Sequence, residues 1–162
     1  IDVGSGDIRL DRIAGDLNVD TGSGEIYLGT VSGGDIRIDT GSGDVEADRL
    51  DGSRVLIDTG SGEVSVGHLA GRSRISTGSG DVAVGMDAGH DLEVDTGSGE
   101  VTITLPRNAG AELAINGGDV SIDRDFDFNG RSDDDSARGT IGNGGSRIEV
   151  STGSGDIELR AR

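Results

Sequence analysis

Asp20-Thr21-Gly22-Ser23-Gly24-Glu25-Ile26-Tyr27-Leu28 decides how this chain is read. It returns almost unchanged as Asp39-Thr40-Gly41-Ser42-Gly43-Asp44-Val45 and again as Asp58-Thr59-Gly60-Ser61-Gly62-Glu63-Val64. The acid after the glycine triplet recurs at Asp7, Glu25, Asp44, Glu63, Asp81, Glu100, Asp119 and Asp156. The intervals are 18 or 19 residues, except for a last one of 37, close to two periods. At Asp119 the triplet has changed to Asn116-Gly117-Gly118. Self-similarity at a fixed period marks a stacked repeat architecture.

Between triplets the apolar residues alternate with polar ones, as in Ile8/Leu10, Leu17/Val19, Ile26/Leu28 and Ile36/Ile38. A period of two over a short run marks a half-buried strand. Each unit therefore holds two strands and a middle anchor, Ile13, Val31, Leu50 or Leu69. One unit cannot bury its own apolar face, whereas stacked units can, each strand bonding its copy above and below at ~4.8 Å. The sequence thus predicts an all-β, parallel β-solenoid of the β-helix or β-roll kind. It is a single domain over 1–162, right-handed, with about eight rungs of 18–19 residues and an irregular acidic loop at about 123–146. Gly-Ser-Gly supplies the corners, since glycine turns without a steric penalty. An antiparallel hairpin array is the rival, but it does not place every copy of one phrase in the same orientation.

Composition fits a narrow aliphatic interior: Gly 31, Pro 1, and only Tyr27, Phe126 and Phe128 as aromatics. There is no cysteine, which removes disulfides and thiolate metal sites. No apolar run approaches membrane-spanning length, so this chain has no direct membrane insertion. The 31 acids outweigh 14 bases, all of them arginine, for a net charge of −17. Nucleic acid and anionic membrane surfaces are excluded as partners, because phosphate binding needs a basic face. The acidity fits solvation in high salt, and the arginine bias fits a GC-rich genome. Ile1-Asp2-Val3-Gly4-Ser5-Gly6 aligns with Val19 to Gly24, so the chain opens in mid-coil and an N-terminal segment before it is expected.

Stacking sets like charges on like. Asp20, Asp39, Asp58 and Asp95 form one row and the acids after the corner a second. Charges ~5 Å apart in water repel by about 0.8 kcal/mol, a cost that a solvated edge tolerates. A divalent cation between the rows would relieve it, and Gly-x-Gly followed by an acid is similar to calcium-binding nonapeptide rolls, though those place a residue between the glycine and the aspartate. A second calcium candidate is Asp125-x-Asp127-x-Asn129-Gly130, with Asp133 nearby, which matches the opening of a helix–loop–helix calcium loop. Ser136 stands where that loop needs glutamate. Strand parity explains the same residues by placing Val120, Ile122, Phe126 and Phe128 inward and Asp125 and Asp127 in water. Thr21, Thr40, Thr59, Thr77, Thr96 and Thr152 form a further row. It is a single row, where ice binding would need a flat paired array. His68 and His90 are isolated in turn-like contexts, and no nucleophile–base pair stands out, so no catalytic residue is assigned.

The phrases Asp20–Ile26, Asp58–Val64 and Ser151-Thr152-Gly153-Ser154-Gly155-Asp156-Ile157 resemble the bacterial adhesin-type β-strand-repeat family, a domain of unknown function. Leu105-Pro106, Ala111-Glu112-Leu113 and Gly139 to Gly145 resemble it too. The resemblance implies a β-solenoid in a cell-envelope or extracellular setting and carries over no catalytic residues. The expected function is a non-catalytic adhesive or structural scaffold. Its partners would be cell-surface or matrix components, or itself by end-to-end stacking into filaments. The alternatives are a polysaccharide-active parallel β-helix enzyme and a calcium-binding solenoid.

Overall fold

Alternating aliphatic residues bounded by glycine corners build the strands. The computed structural model describes residues 1–87 and 89–162, and every regular element among them is a strand. The first wall begins with β1 (Asp2–Val3), β3 (Leu17–Ser23) and β5 (Asp35–Ser42), and the second with β2 (Ile8–Ala14) and β4 (Ile26–Ser32). Two long strands, β6 (Val45–Ser61) and β7 (Val64–Ser79), run through both walls, with a register shift between Asp51 and Arg54 where β6 bends round its anchor. All pairings in this region are parallel and in repeat register, for example Ile26↔Val45 and Ile36↔Val55. The fold is a parallel β-solenoid.

The interior is a set of aliphatic columns. Ile26, Leu28, Ile36, Ile38, Val55 and Ile57 are at most 1 % exposed. The anchor column Val31, Leu50, Leu69 and Met86 is wholly buried. Each side chain packs on its equivalent one rung away, as the period requires.

The expected eight equal rungs in chain order are not what the fold shows. About five turns wind in order, continuing through β8 (Val82–Met86), β9 (Leu92–Ser98) and β10 (Val101–Leu105). The order then breaks. After β11 (Ala111–Asn116) and β12 (Val120–Ile122) the chain forms β13 (Phe128–Asp133) and β14 (Ser136–Ile141), and finally β15 (Ser146–Thr152) and β16 (Ile157–Ala161). β15 lies between β9 and β11, and β16 between β10 and β12. The last coil has thus been inserted below the coil that precedes it in sequence.

The 123–146 stretch explains the detour. β13 and β14 form an antiparallel hairpin, and β14 pairs antiparallel with β11. The carbonyls of Asp135 and Asp134 accept from the N–H groups of Gly117 and Val120 at 2.9 and 2.8 Å. The hairpin therefore covers the open edge of the β11–β12 coil, which would otherwise offer unpaired backbone groups. Phe126, 6 % exposed, fills the end of the core beneath it. The sequence parity placed Phe126 inward correctly, but residues 123–127 form a turn rather than a strand.

The corner glycines serve close approach more than turning. Gly22, Gly41, Gly60, Gly78, Gly97 and Gly153 have no left-handed backbone. A Cβ on each would lie 2.5–2.7 Å from the carbonyl oxygen of the glycine one rung below. Gly4, at the edge, has open space around it. Gly60→Ala should therefore destabilise the protein by about 1–3 kcal/mol, as overpacking does, while Gly4→Ala should stay within about 0.5 kcal/mol. Urea unfolding of the two variants measures the contrast, and equal stabilities would refute the close-approach account. Ile103→Asp, at a fully buried position, should abolish the cooperative transition, because an unpaired charge there cannot be solvated.

Candidate functional site

The acids after the corners form a ladder whose order in space differs from that in sequence. Backbone bonds place them as Asp7, Glu25, Asp44, Glu63, Asp81, Glu100, Asp156 and Asp119. Aspartate and glutamate alternate up to Asp156. The reason is visible in the bonds: Oδ1 of Asp7, Asp44 and Asp81 accepts the N–H of Glu25, Glu63 and Glu100 at 3.1, 2.8 and 2.8 Å. Asp156 accepts that of Asp119 at 3.1 Å. The short aspartate side chain folds back onto the next rung's peptide, and the extra methylene of glutamate would carry the carboxylate past it. Half of the ladder is thus committed to backbone amides, and the glutamates project into solvent.

The entrance to the first wall repeats the device. Asp16 accepts the N–H of Asp35 at 2.9 Å. Asp91 accepts that of Arg147 at 2.9 Å, across 56 residues, and holds the Arg72 guanidinium at 3.3 Å. The Arg147 amide chiefly keeps the Asp91 carboxyl below its ordinary value; burial opposes it, and the Arg72 guanidinium adds to the lowering. Asp123 does the same for the cap, accepting from Asp125 N–H at 3.0 Å and Ala161 N–H at 3.2 Å, and its carboxyl is lowered chiefly by those two amides.

Two shallow grooves, one on each wall, differ in lining. The second wall carries Glu25, Asp44, Glu46 and Glu63 around a shallow groove beside Tyr27. The Tyr27 hydroxyl donates to Asp48 at 3.0 Å, and Arg9 covers its ring at 4.1 Å. The bond to Asp48 raises the phenol above its ordinary value. The first wall carries Arg54, Arg72 and Arg74 with Leu56 and Glu93 along another shallow groove. Arg37 pairs with Asp39 at 3.0 Å, Arg147 with Glu149 at 3.2 Å, and Arg74 with Glu93. These pairs are solvent-exposed and contribute little to stability.

The aspartate row is interrupted in space: Ser76 lies between Asp58 and Asp95, and Ser151 between Asp95 and Asn116. The threonine row proves to be interior. Thr21, Thr40, Thr59, Thr77, Thr96 and Thr152 are at most 7 % exposed. Thr59, Thr77 and Thr152 donate to carbonyls of Gly43, Gly62 and Gly99 in the corner below. A buried row offers no surface to ice.

The calcium candidates are spread along the cap. Asp125 sits in the turn and is paired with Arg107 at 2.9 Å. The Asp127 carbonyl accepts the Gly142 N–H, Asn129 lies opposite Thr140 in the hairpin, and Asp133 stands at its tip opposite Ser136. Among the described residues no three His, Asp or Glu side chains are grouped to hold a metal ion. His68 faces Asp87 at 3.9 Å, where Arg49 and Arg162 also approach at 3.7 and 3.1 Å. His90 lies in the turn before β9. The Asp87 cluster was not legible in the sequence, because its members come from four separate coils. The alternation of aspartate and glutamate was readable and signalled a repeat of two rungs.

Asp91→Asn should flatten the acid limb of stability. A carboxyl lowered on folding contributes stability above its unfolded value, and that contribution is lost as pH falls through the lowered value. Wild type should therefore lose more stability than the variant below about pH 5, as read by urea midpoints. Asp81→Ala, which frees the Glu100 amide, should cost about 1 kcal/mol, against under about 0.5 kcal/mol for Glu63→Ala. Melting in millimolar calcium and in ionic-strength-matched sodium should give equal shifts, given that Asp125 is already paired; a larger calcium shift would establish a site.

Among the proteins compared, no curated protein and no solved structure matches the chain. One family model does, described as Toastrack DUF4097, over residues 1–160. That match spans both walls and the inserted coil. The chain belongs to the Toastrack DUF4097 family, a repeat-like β domain of unknown function.

Proposed function

We infer that this domain is a non-catalytic scaffold of the cell envelope or extracellular space, with an adhesive or structural role. The observation that carries the reading is the arrangement of its polar side chains. They stand in straight rows set by strand register, with acids and arginines side by side on both walls, over shallow grooves. Rows of this kind present an extended surface to a polymer or another protein. Catalysis needs instead a few groups converging on one reacting atom. The adhesin-type resemblance and the envelope setting belong to this reading. So does the right-handed winding, the hand that parallel strand–crossover–strand connections take in roughly 98 % of cases.

The test is exposure of the folded domain to anionic polysaccharides and to isolated cell-envelope material. Retention on the material, lost in Ile103→Asp, with no new reducing ends or unsaturated sugars, is the expected result. Turnover abolished by a single carboxylate or arginine substitution would establish the polysaccharide-active enzyme instead. Self-association would appear as open-ended growth in light scattering with rising concentration.

A further inference from the structure

The insertion of β15 and β16 gives this fold a slot. We propose that the coil Ser146–Ala161 is exchangeable between two copies of the chain, so that each copy fills the slot of the other in a reciprocal dimer. The inference does not rest on the scaffold reading.

Three observations carry it. First, the coil is held on both sides by strands other than its chain neighbours. Ile148 and Val150 pair with Leu92 and Val94 on one side and with Leu113 and Ile115 on the other. Ile157 and Leu159 pair with Val101 and Ile103, and with Val120 and Ile122. The four side chains of the coil are at most 1 % exposed, so an empty slot would expose the core.

Second, the slot accepts few sequences. A Cβ at Gly153 would lie 2.6 Å from the carbonyl of Gly97, and one at Gly155 would run into that of Gly99. The entering segment must supply small corners and aliphatic pairs at fixed spacing. This chain carries such a segment, which makes a second copy the partner of matching chemistry.

Third, the coil is joined to the cap by Gly142-Asn143-Gly144-Gly145, whose three glycines have φ of 53°, 70° and 120°. A linker in these left-handed conformations can open into an extended strand without a steric barrier from side chains. Exchange of an identical element through a hinge is a low-cost route to a closed dimer, because every bond of the monomer is remade between copies. The linked coil has the advantage at low concentration, and exchange gains as concentration rises.

The chain has no cysteine, so engineered thiols report without background. Thr102 and Glu158 are register partners across the slot boundary, at the ~4.8 Å separation of neighbouring strands, within disulfide reach. Full-length Thr102→Cys and Glu158→Cys variants, one with a larger tag, are mixed, refolded together at high concentration and oxidised. The hetero-crosslinked species should exceed by about tenfold that from a Thr102→Cys and Glu46→Cys mixture, Glu46 being an exposed residue of the same wall far from the slot. The Thr102→Cys/Glu158→Cys double variant should close its disulfide within one chain at low concentration. Equal yields from the two mixtures would overturn the proposal. Independently, deletion of Gly144 and Gly145 should give a dimer in sedimentation, since the short hinge cannot return the coil to its own slot. A monomer, folded or unfolded, would overturn it.

Discussion

Everything in this fold depends on how closely one glycine corner can sit on the next. Parallel strands bond at a fixed separation, and at the corners the carbonyl of one rung points at the Cα of the rung above. Gly22 over Gly4, and each successive copy, leaves no room for a side chain there. Given that approach, the alternating residues on either side are forced into columns, and the columns make the core. Without it the walls would splay at every corner.

The same constraint determines the polar chemistry. A corner that brings backbones together also leaves amides that strand pairing does not reach. Aspartates at every second rung answer them, through Oδ1 bonds to the next rung's N–H. The acidity of the chain is therefore partly structural: Asp7, Asp44, Asp81 and Asp156 are backbone acceptors, with Asp16 and Asp91 doing likewise at the first wall. Lysine or arginine could not replace them, having no acceptor. The remaining glutamates are free to repel neighbouring molecules and keep a repetitive surface soluble.

Much of this was legible in the sequence, and the limits have physical causes. The period, the strand pairs and the anchors Val31, Leu50 and Leu69 follow from local alternation, which every rung repeats. Burial of Thr21 and its copies was not legible, because threonine beside aspartate suits either side of a corner. The interval of 37 residues was visible as close to two periods, with no sign of its cause. Its real origin is long-range: β15 pairs with β9 and β11, and no local pattern distinguishes one equivalent neighbour from another. Repeats that are interchangeable in sequence are interchangeable in space, so the order of stacking is decided by the hairpin and its linker.

That interchangeability is also what makes the cap necessary. In a stack of like coils any uncovered edge is a template for another coil. The β13–β14 hairpin closes one end by reversing strand direction, which presents to solvent a β13 edge outside the parallel register. Its tip fixes the hairpin through Asp134 and Asp135 carbonyls, a use of acidic residues that requires only their backbone. The aspartates there are suited to the task because they favour the tight turn and cannot add to an apolar edge. The detour in chain order follows: the cap is built on β11 and β12, so the coil made last in sequence has its place beneath the cap and not beyond it.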